Sequence, residues 1–298
     1  MAWRLTGSPD EFLDASGAHL RADPVHNTVL LTVLGTLRER GSSAFGNAAP
    51  VFGWHESSGG DVDGAFLQTP PFPLLVARLP EGTAAALIEA LSADGRQPNG
   101  ANVVGSDEAG FIAAWTAVTG GSATARQRSR LFRLARLIPP DPWPAGAARV
   151  ASQDDFALLV EWHTAFVAGI RAAGENPDRI VADRLSHSGL MIWEADGLPV
   201  AMAGRTREVA GVVRVADVYT PREHRQRGYG GAITSAVTQA ALDGGAAEVV
   251  LFTDLANPTS NALYQRLGYQ PIGDRVVLSL EPVAADQAYV TAGPGPSS

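Results

Sequence analysis

The stretch Arg225-Gln226-Arg227-Gly228-Tyr229-Gly230-Gly231 follows the β-branched run Val212 to Thr220 and opens the helix-like run Ala232 to Leu242. A phosphate is expected at this turn. Backbone N–H groups in such a turn can converge, and glycines let a ligand approach without a Cβ in its path. The positive end of the following helix dipole favours negative charge at the same place. Other phosphate loops fit worse. Gly-Lys-Ser/Thr is missing, and Ile233 stands where a dinucleotide fingerprint needs its third glycine. Taken alone, the stretch also reads as an ordinary turn and helix start.

The remaining composition narrows the partners. A chain of 298 residues is long enough for one large domain or two ordinary ones, with a sizeable core and no need of staples. Cysteine is absent, which excludes disulfides, thiolate metal sites and a cysteine nucleophile. No metal site is expected. Lysine is absent as well, so a Schiff-base mechanism is excluded; an arginine-only basic set suits a GC-rich bacterial genome. Arg4, Asp10, Glu11 and Asp14 interrupt the opening, so neither a signal-peptide core nor a membrane span is expected there, and the chain reads as cytoplasmic. A net charge of −8 argues against nucleic acid or an anionic membrane as partner. A basic loop inside an acidic chain therefore marks a local anion site.

Read in order, the opening through about Gly41 suggests helices, with one starting at Pro9-Asp10-Glu11 and another over Asn27 to Arg38. Pro50 to Trp54 and Ala65 to Leu79 read as strands, Thr83 to Leu91 as a helix, Val103-Val104 as a strand, Glu108 to Val118 as a helix, and Arg126 to Leu134 as a closing strand. Ile138-Pro139-Pro140-Asp141-Pro142-Trp143-Pro144 is too proline-rich for a helix or a central strand and reads as a linker. The same grammar then restarts. Arg149 to Ala151 is a strand, Gln153 to Ala173 and Pro177 to His187 are helices, and Leu190 to Glu194 with Val200 to Arg207 is a hairpin. Val212 to Thr220, the loop and its helix, strand Ala247 to Thr253, helix Ser260 to Leu267 and strand Val276 to Leu280 complete it.

The two stretches echo each other. Val104-Gly105-Ser106-Asp107, a helix with Trp115 and then Gly120 match Leu251-Phe252-Thr253-Asp254, a helix with Tyr264 and then Gly268. Leu79-Pro80-Glu81-Gly82 stands where the second stretch has its anion loop, so the first copy lacks a phosphate grip. The expected division is a degenerate domain at 1–137, a linker at 138–147, a working domain at 148–281 and a disordered tail at 282–298.

Two motifs in the second stretch resemble those of the GCN5-related N-acetyltransferase (GNAT) superfamily, over roughly Ala148 to Glu281. Arg225-x-x-Gly228-x-Gly230 after a strand resembles the family's pyrophosphate loop. Asn257-Pro258-Thr259-Ser260-Asn261-Ala262-Leu263-Tyr264-Gln265-Arg266-Leu267-Gly268-Tyr269 resembles its later strand-end asparagine and helix tyrosine. The tandem arrangement is similar to that of double-domain acetyltransferases. The resemblance implies an α/β fold with a mixed sheet, in two acyl-CoA N-acyltransferase domains. It further implies that acetyl-CoA is the acyl donor and that a primary amine of a small molecule or peptide attacks it through a tetrahedral intermediate.

On that resemblance, strand Val212 to Thr220 carries a bulge and diverges from strand Ala247 to Thr253, so that the pantetheine arm lies between them beside Val218, Tyr219 and Thr220. Arg225, Gln226, Arg227, Gly228, Tyr229, Gly230 and Gly231 hold the pyrophosphate, and Asn257 and Asn261 lie near the cofactor. Tyr264 protonates the leaving thiolate; a core tyrosine is the plain alternative. Arg214 stands where some relatives carry a basic glutamate, which leaves Asp217 as the nearest carboxylate for the general base, with Glu194, Glu161 or a relayed water as alternatives. A non-catalytic acyl-CoA sensor or interaction protein remains the second reading, and a homodimer is left open.

Overall fold

A computed structural model describes residues 2–170 and 176–282. The end of the helix expected over Gln153 to Ala173 and the tail expected to be disordered fall largely outside the described residues.

The first half runs β1 (Ala2–Thr6), α1 (Pro9–Ala22), α2 (Thr28–Arg40), β2 (Val51–Glu56), β3 (Val62–Gln68), β4 (Leu74–Val76), α3 (Thr83–Ala93), β5 (Gly100–Val104), α4 (Glu108–Thr119) and β6 (Ser122–Leu134). The second half repeats that order as β7 (Ala147–Val150), α5 (Phe156–Ile170), α6 (Pro177–Leu185), β8 (Leu190–Ala195), β9 (Leu198–Arg205), β10 (Val212–Tyr219), α7 (Tyr229–Asp243), β11 (Glu248–Asp254), α8 (Pro258–Arg266) and β12 (Tyr269–Glu281). Local chemistry sets the boundaries. Ser8, Asn176 and Asn257 each accept a backbone N–H at a helix start, and in all three cases proline follows in the first turn, where its missing N–H costs nothing. Asp196 and Gly197, both at positive φ, turn β8 into β9.

All strands join in one sheet of twelve, in the order β1-β2-β3-β4-β5-β12-β6-β11-β10-β9-β8-β7. The order is symmetric about the β6–β12 pair. Strand β6, expected to close the first half, instead lies against β11 of the second, and β12 of the second half lies against β5 of the first. The two exchanged strands pair with each other from Tyr269↔Leu134 to Glu281↔Ser122. Sequence pattern alone could not decide this, because an alternating strand satisfies either neighbour. The opening also differs from the all-helical expectation. Ala2–Thr6 is a strand paired with β2, too short at five residues for its alternation to stand out.

Side chains alternate between two helix layers. Ala201, Ala203, Val213 and Val215 pack under α7 and α8, whereas Leu190, Ile192 and Met202 pack under α5 and α6. Val25, between α1 and α2, joins Leu131, Val212 and Val250, so the first half also covers the sheet of the second. The proline-rich linker is strapped down at its start by Ile138 N–H to Leu267 O (3.0 Å). Further along, Trp193 Nε1 donates to Ala145 O (2.9 Å), and the Trp143 ring stacks on that of Trp193.

Strand exchange makes each half depend on the other, since removing either exposes the edge of β5 or β11. A chain nicked by protease within residues 139–147 is expected to remain one particle in gel filtration and to melt in a single transition. Two fragments separating as folded monomers would contradict the exchange.

Candidate acyl-transfer site

Strands β10 and β11 run parallel only from Val212↔Glu248 to Val215↔Leu251. Beyond that point they part. On its other edge β10 slips register against β9 between Ala216 and Tyr219, and Asp217 in that slip sits at φ +55. The bulge breaks strand alternation and turns the Asp217 side chain toward α5 and α6. There its carboxylate, 8 % exposed, meets Arg184 Nε at 3.2 Å and His163 Nδ1 at 3.7 Å. Arg184 also donates to Arg205 O on β9 (3.0 Å), so one guanidinium ties the bulge to its neighbour strand. Gly204 leaves the room, as a Cβ there would stand 2.7 Å from Asp217 Oδ2. Asp217, expected as the general base, is therefore a buried, ion-paired anchor of the bulge.

The anion loop follows. After a short turn over Arg222–His224, Gln226 (φ +62) and Gly228 (φ +84) adopt left-handed backbone, and Gly228 caps α7 with no side chain. Ala232 N–H closes the first helical turn on Gly228 O (3.1 Å). The N–H groups of Tyr229, Gly230 and Gly231 lie ahead of it, at positions with no acceptor four residues back in the helix. Arg225 braces the loop through Nε to Thr220 O (3.0 Å). Arg227 is exposed, with no hydrogen bond or ion pair among the described residues. Tyr229 contributes only backbone, because its ring is buried under the sheet.

Strand end, helix start and α8 converge here. A Cβ on Gly230 would lie 3.5 Å from Thr220 Oγ1 and 4.0 Å from Leu263 Cδ2, and one on Gly231 would lie 3.1 Å from Leu263 Cδ1. Asn257, expected near the cofactor, accepts Ser260 N–H (3.0 Å) as the cap of α8. Asn261 Nδ2 donates to Asp254 O (2.9 Å) and Asn257 O (2.7 Å), stitching the end of β11 to the helix. Both asparagines thus have a structural task, and Asn261 Oδ1 is left buried without a partner among the described residues.

Tyr264 follows Leu263 on α8. Its ring is buried between Phe132 and Tyr269, while no hydrogen bond reaches its hydroxyl among the described residues. Burial alone pushes its pKa up to about 12, so it keeps its proton at neutral pH. The other carboxylates considered as bases lie apart from this arrangement: Glu194 Oε1 pairs with Arg149 Nε (3.0 Å), and Glu161 is exposed on α5. A cavity of about 330 Å³ lies between the linker and the later turns of α7, away from the strand gap. Among the described residues no helix is long and apolar enough to cross a membrane, and no group of three or more His, Cys, Asp or Glu could hold a metal ion.

The first half presents the same strand gap filled. Past Leu75↔Asn102, the buried Arg275 of β12 donates from Nη2 to Val76 O and to Asn102 O, both 2.7 Å, bridging β4 and β5. Desolvation lowers the Arg275 pKa to about 10, still far above neutrality, so the bridge is charged. Leu79 N–H goes to Asp107 Oδ2 (2.9 Å) and Thr83 N–H to Pro80 O (3.2 Å), which uses donors that α7 leaves open. Sequence reasoning missed Arg184, Arg275 and Phe132. The first two are isolated arginines whose partners are distant in sequence, and Phe132 reads only as a core residue of a strand.

Comparison with known proteins bears on the family and the fold. Residues 139–269 match the family model described as the Acetyltransferase (GNAT) family. A GCN5-related N-acetyltransferase from Kribbella flavida is 28% identical, with a TM-score of 0.50, over 72% of this chain and 86% of that one. A Drosophila protein (16% identity, TM-score 0.66) covers 95% of this chain and 99% of its own. A GCN5-related N-acetyltransferase from Sphaerobacter thermophilus (15%, 0.61) covers 94% and 95%. At those identities the last two likenesses concern the fold alone, and they extend across both halves. No curated protein matches. Residues 139–269 carry the likeness to the GNAT family, and beyond them the likeness to solved structures is one of fold.

Removing Asp217 leaves Arg184, itself 12 % exposed at its side chain, buried without its counter-charge. Asp217→Ala is expected to lower stability by about 3 kcal/mol, the scale for breaking one side of a buried pair. Urea unfolding measures it. An unchanged midpoint would mean that the carboxylate does not anchor the bulge.

Proposed function

We propose that the chain transfers an acetyl group from acetyl-CoA to a primary amine of a small molecule or peptide, with one working site, in the second half. The observation that carries this reading is the meeting of three features at one end of the sheet. These are an open gap between β10 and β11, an uncapped glycine start of α7, and on α8 a tyrosine hydroxyl without a partner among the described residues. The donor fits these residues. The N–H groups of Tyr229, Gly230 and Gly231, at the positive helix end, together with Arg227, suit a pyrophosphate, and Gly230 brings no side chain into its approach. Backbone of Val218, Tyr219 and Thr220, released from β11, suits the amides of the pantetheine arm.

The thioester of the donor supplies the acyl group, and its sulfur needs a proton on leaving. Tyr264 holds one. A phenol near pKa 12 giving it to a thiolate of ordinary pKa about 8.5 is uphill by roughly 5 kcal/mol, so the transfer must accompany departure of the sulfur. Water relayed to a backbone carbonyl takes the amine proton, because Asp217 is engaged by Arg184 and His163. That engaged carboxylate is also the one observation favouring a second reading, an acyl-CoA sensor without turnover. Thiol release with a panel of amines separates the two.

Tyr264→Phe deletes one oxygen and leaves the ring to pack. The expected result is a fall in kcat of roughly ten- to ten-thousandfold with little change in acetyl-CoA affinity. The melting temperature should hardly move, since no hydrogen bond among the described residues is lost. Full activity in the variant would remove Tyr264 from the chemistry. Gly230→Val should instead abolish acetyl-CoA binding in calorimetry while the protein stays folded; undiminished binding would put the pyrophosphate elsewhere.

A further inference from the structure

The slot that holds the Tyr264 ring is built from both halves of the chain. Phe132 belongs to β6, the last strand of the first half, yet it pairs with Leu251 at the last rung before β10 and β11 part. Its ring, fully buried, lies 6.3 Å from that of Tyr264 at an interplanar angle of 59°. On another side Tyr269 stands edge-on to Tyr264, at 6.2 Å and 69°. The Tyr269 ring is itself fixed. Thr238 Oγ1 donates its one proton to Thr234 O (2.7 Å), so the Tyr269 hydroxyl must be the donor in its 2.6 Å bond to Thr238 Oγ1. Among the described residues no such tether reaches the Tyr264 hydroxyl, and its direction is set by how the ring packs.

We infer that Phe132 is a positioning residue for Tyr264, so that the first half, which lacks an open cleft of its own, completes the reaction site of the second. This rests on the acetyltransferase reading given above. Tilted aromatic rings hold each other in a preferred orientation that an aliphatic side chain of similar bulk does not impose. A proton donor displaced by a fraction of its hydrogen-bond length loses much of its effect on the rate while binding is preserved. The exchange of β6 into the second half is what brings Phe132 to this place.

The test is a double-mutant cycle in the full chain. Phe132→Leu should lower kcat per folded molecule by about ten- to a hundredfold and leave the KM for acetyl-CoA within about twofold. Combined with Tyr264→Phe it should cause no further fall, because the group it aims is already gone. Phe111→Leu, an equally buried phenylalanine in the first half's own core, should keep its kcat. If Phe132→Leu does not fold, Phe132→Met carries the same test. A fully active Phe132 variant beside an impaired Tyr264→Phe would overturn this inference alone, as would losses that multiply in the double variant or an equal loss in Phe111→Leu. A fully active Tyr264→Phe would overturn the parent assignment of Tyr264 and this inference with it.

Discussion

The antiparallel ladder between β6 and β12 is the constraint on which the molecule depends. Each of these strands closes the sheet of the half to which it does not belong, and together they form the axis of the twelve-stranded sheet. Arg130 and Asp274 face each other across it, with Nε to Oδ1 at 2.9 Å. Their side chains are about one-third exposed, so the pair adds little beyond the backbone bonds. The consequence is architectural. Residues that act in one half are supported by strands from the other, and neither half has a complete sheet without its partner.

From that shared frame the halves diverge through their buried arginines. In the second half Arg184 reaches Asp217 from outside the sheet and secures a bulge, which lets β10 swing away from β11. In the first half Arg275, contributed by β12 of the second, reaches between β4 and β5 and ties their carbonyls together. A buried guanidinium is costly unless its donors are satisfied, so each is stable only where acceptors converge on it. One arrangement props a cleft open, whereas the other fills it.

The motifs were legible in the sequence because their residue types act at short range. Gly228 at φ +84 and the glycine ending α8 are local requirements, and the strand-loop-helix order around them followed directly. Partnership between strands was not legible. Nothing in Ser122–Leu134 says which edge it will join, and β1 is too short for periodicity to mark it. Asp217 was chosen as the nearest carboxylate in sequence, and nearness in sequence does not reveal the ion pairs with Arg184 and His163 to which its positive φ turns it. Asn257 and Asn261, expected near the cofactor, also hydrogen-bond at the start of α8, a local task that the sequence reading did not assign them.

The central claim is that the cleft between β10 and β11 is open to the proposed acyl-CoA donor, whereas its counterpart between β4 and β5 is closed by protein groups, Arg275 of β12 among them. Amide hydrogen exchange with and without coenzyme A tests it most directly, because it reports on both places in one experiment. The account predicts slowed exchange at residues 226–231 and 254–264, with residues 77–83 and 104–107 unchanged. Protection appearing in the first-half segments, or none at 226–231, would contradict it.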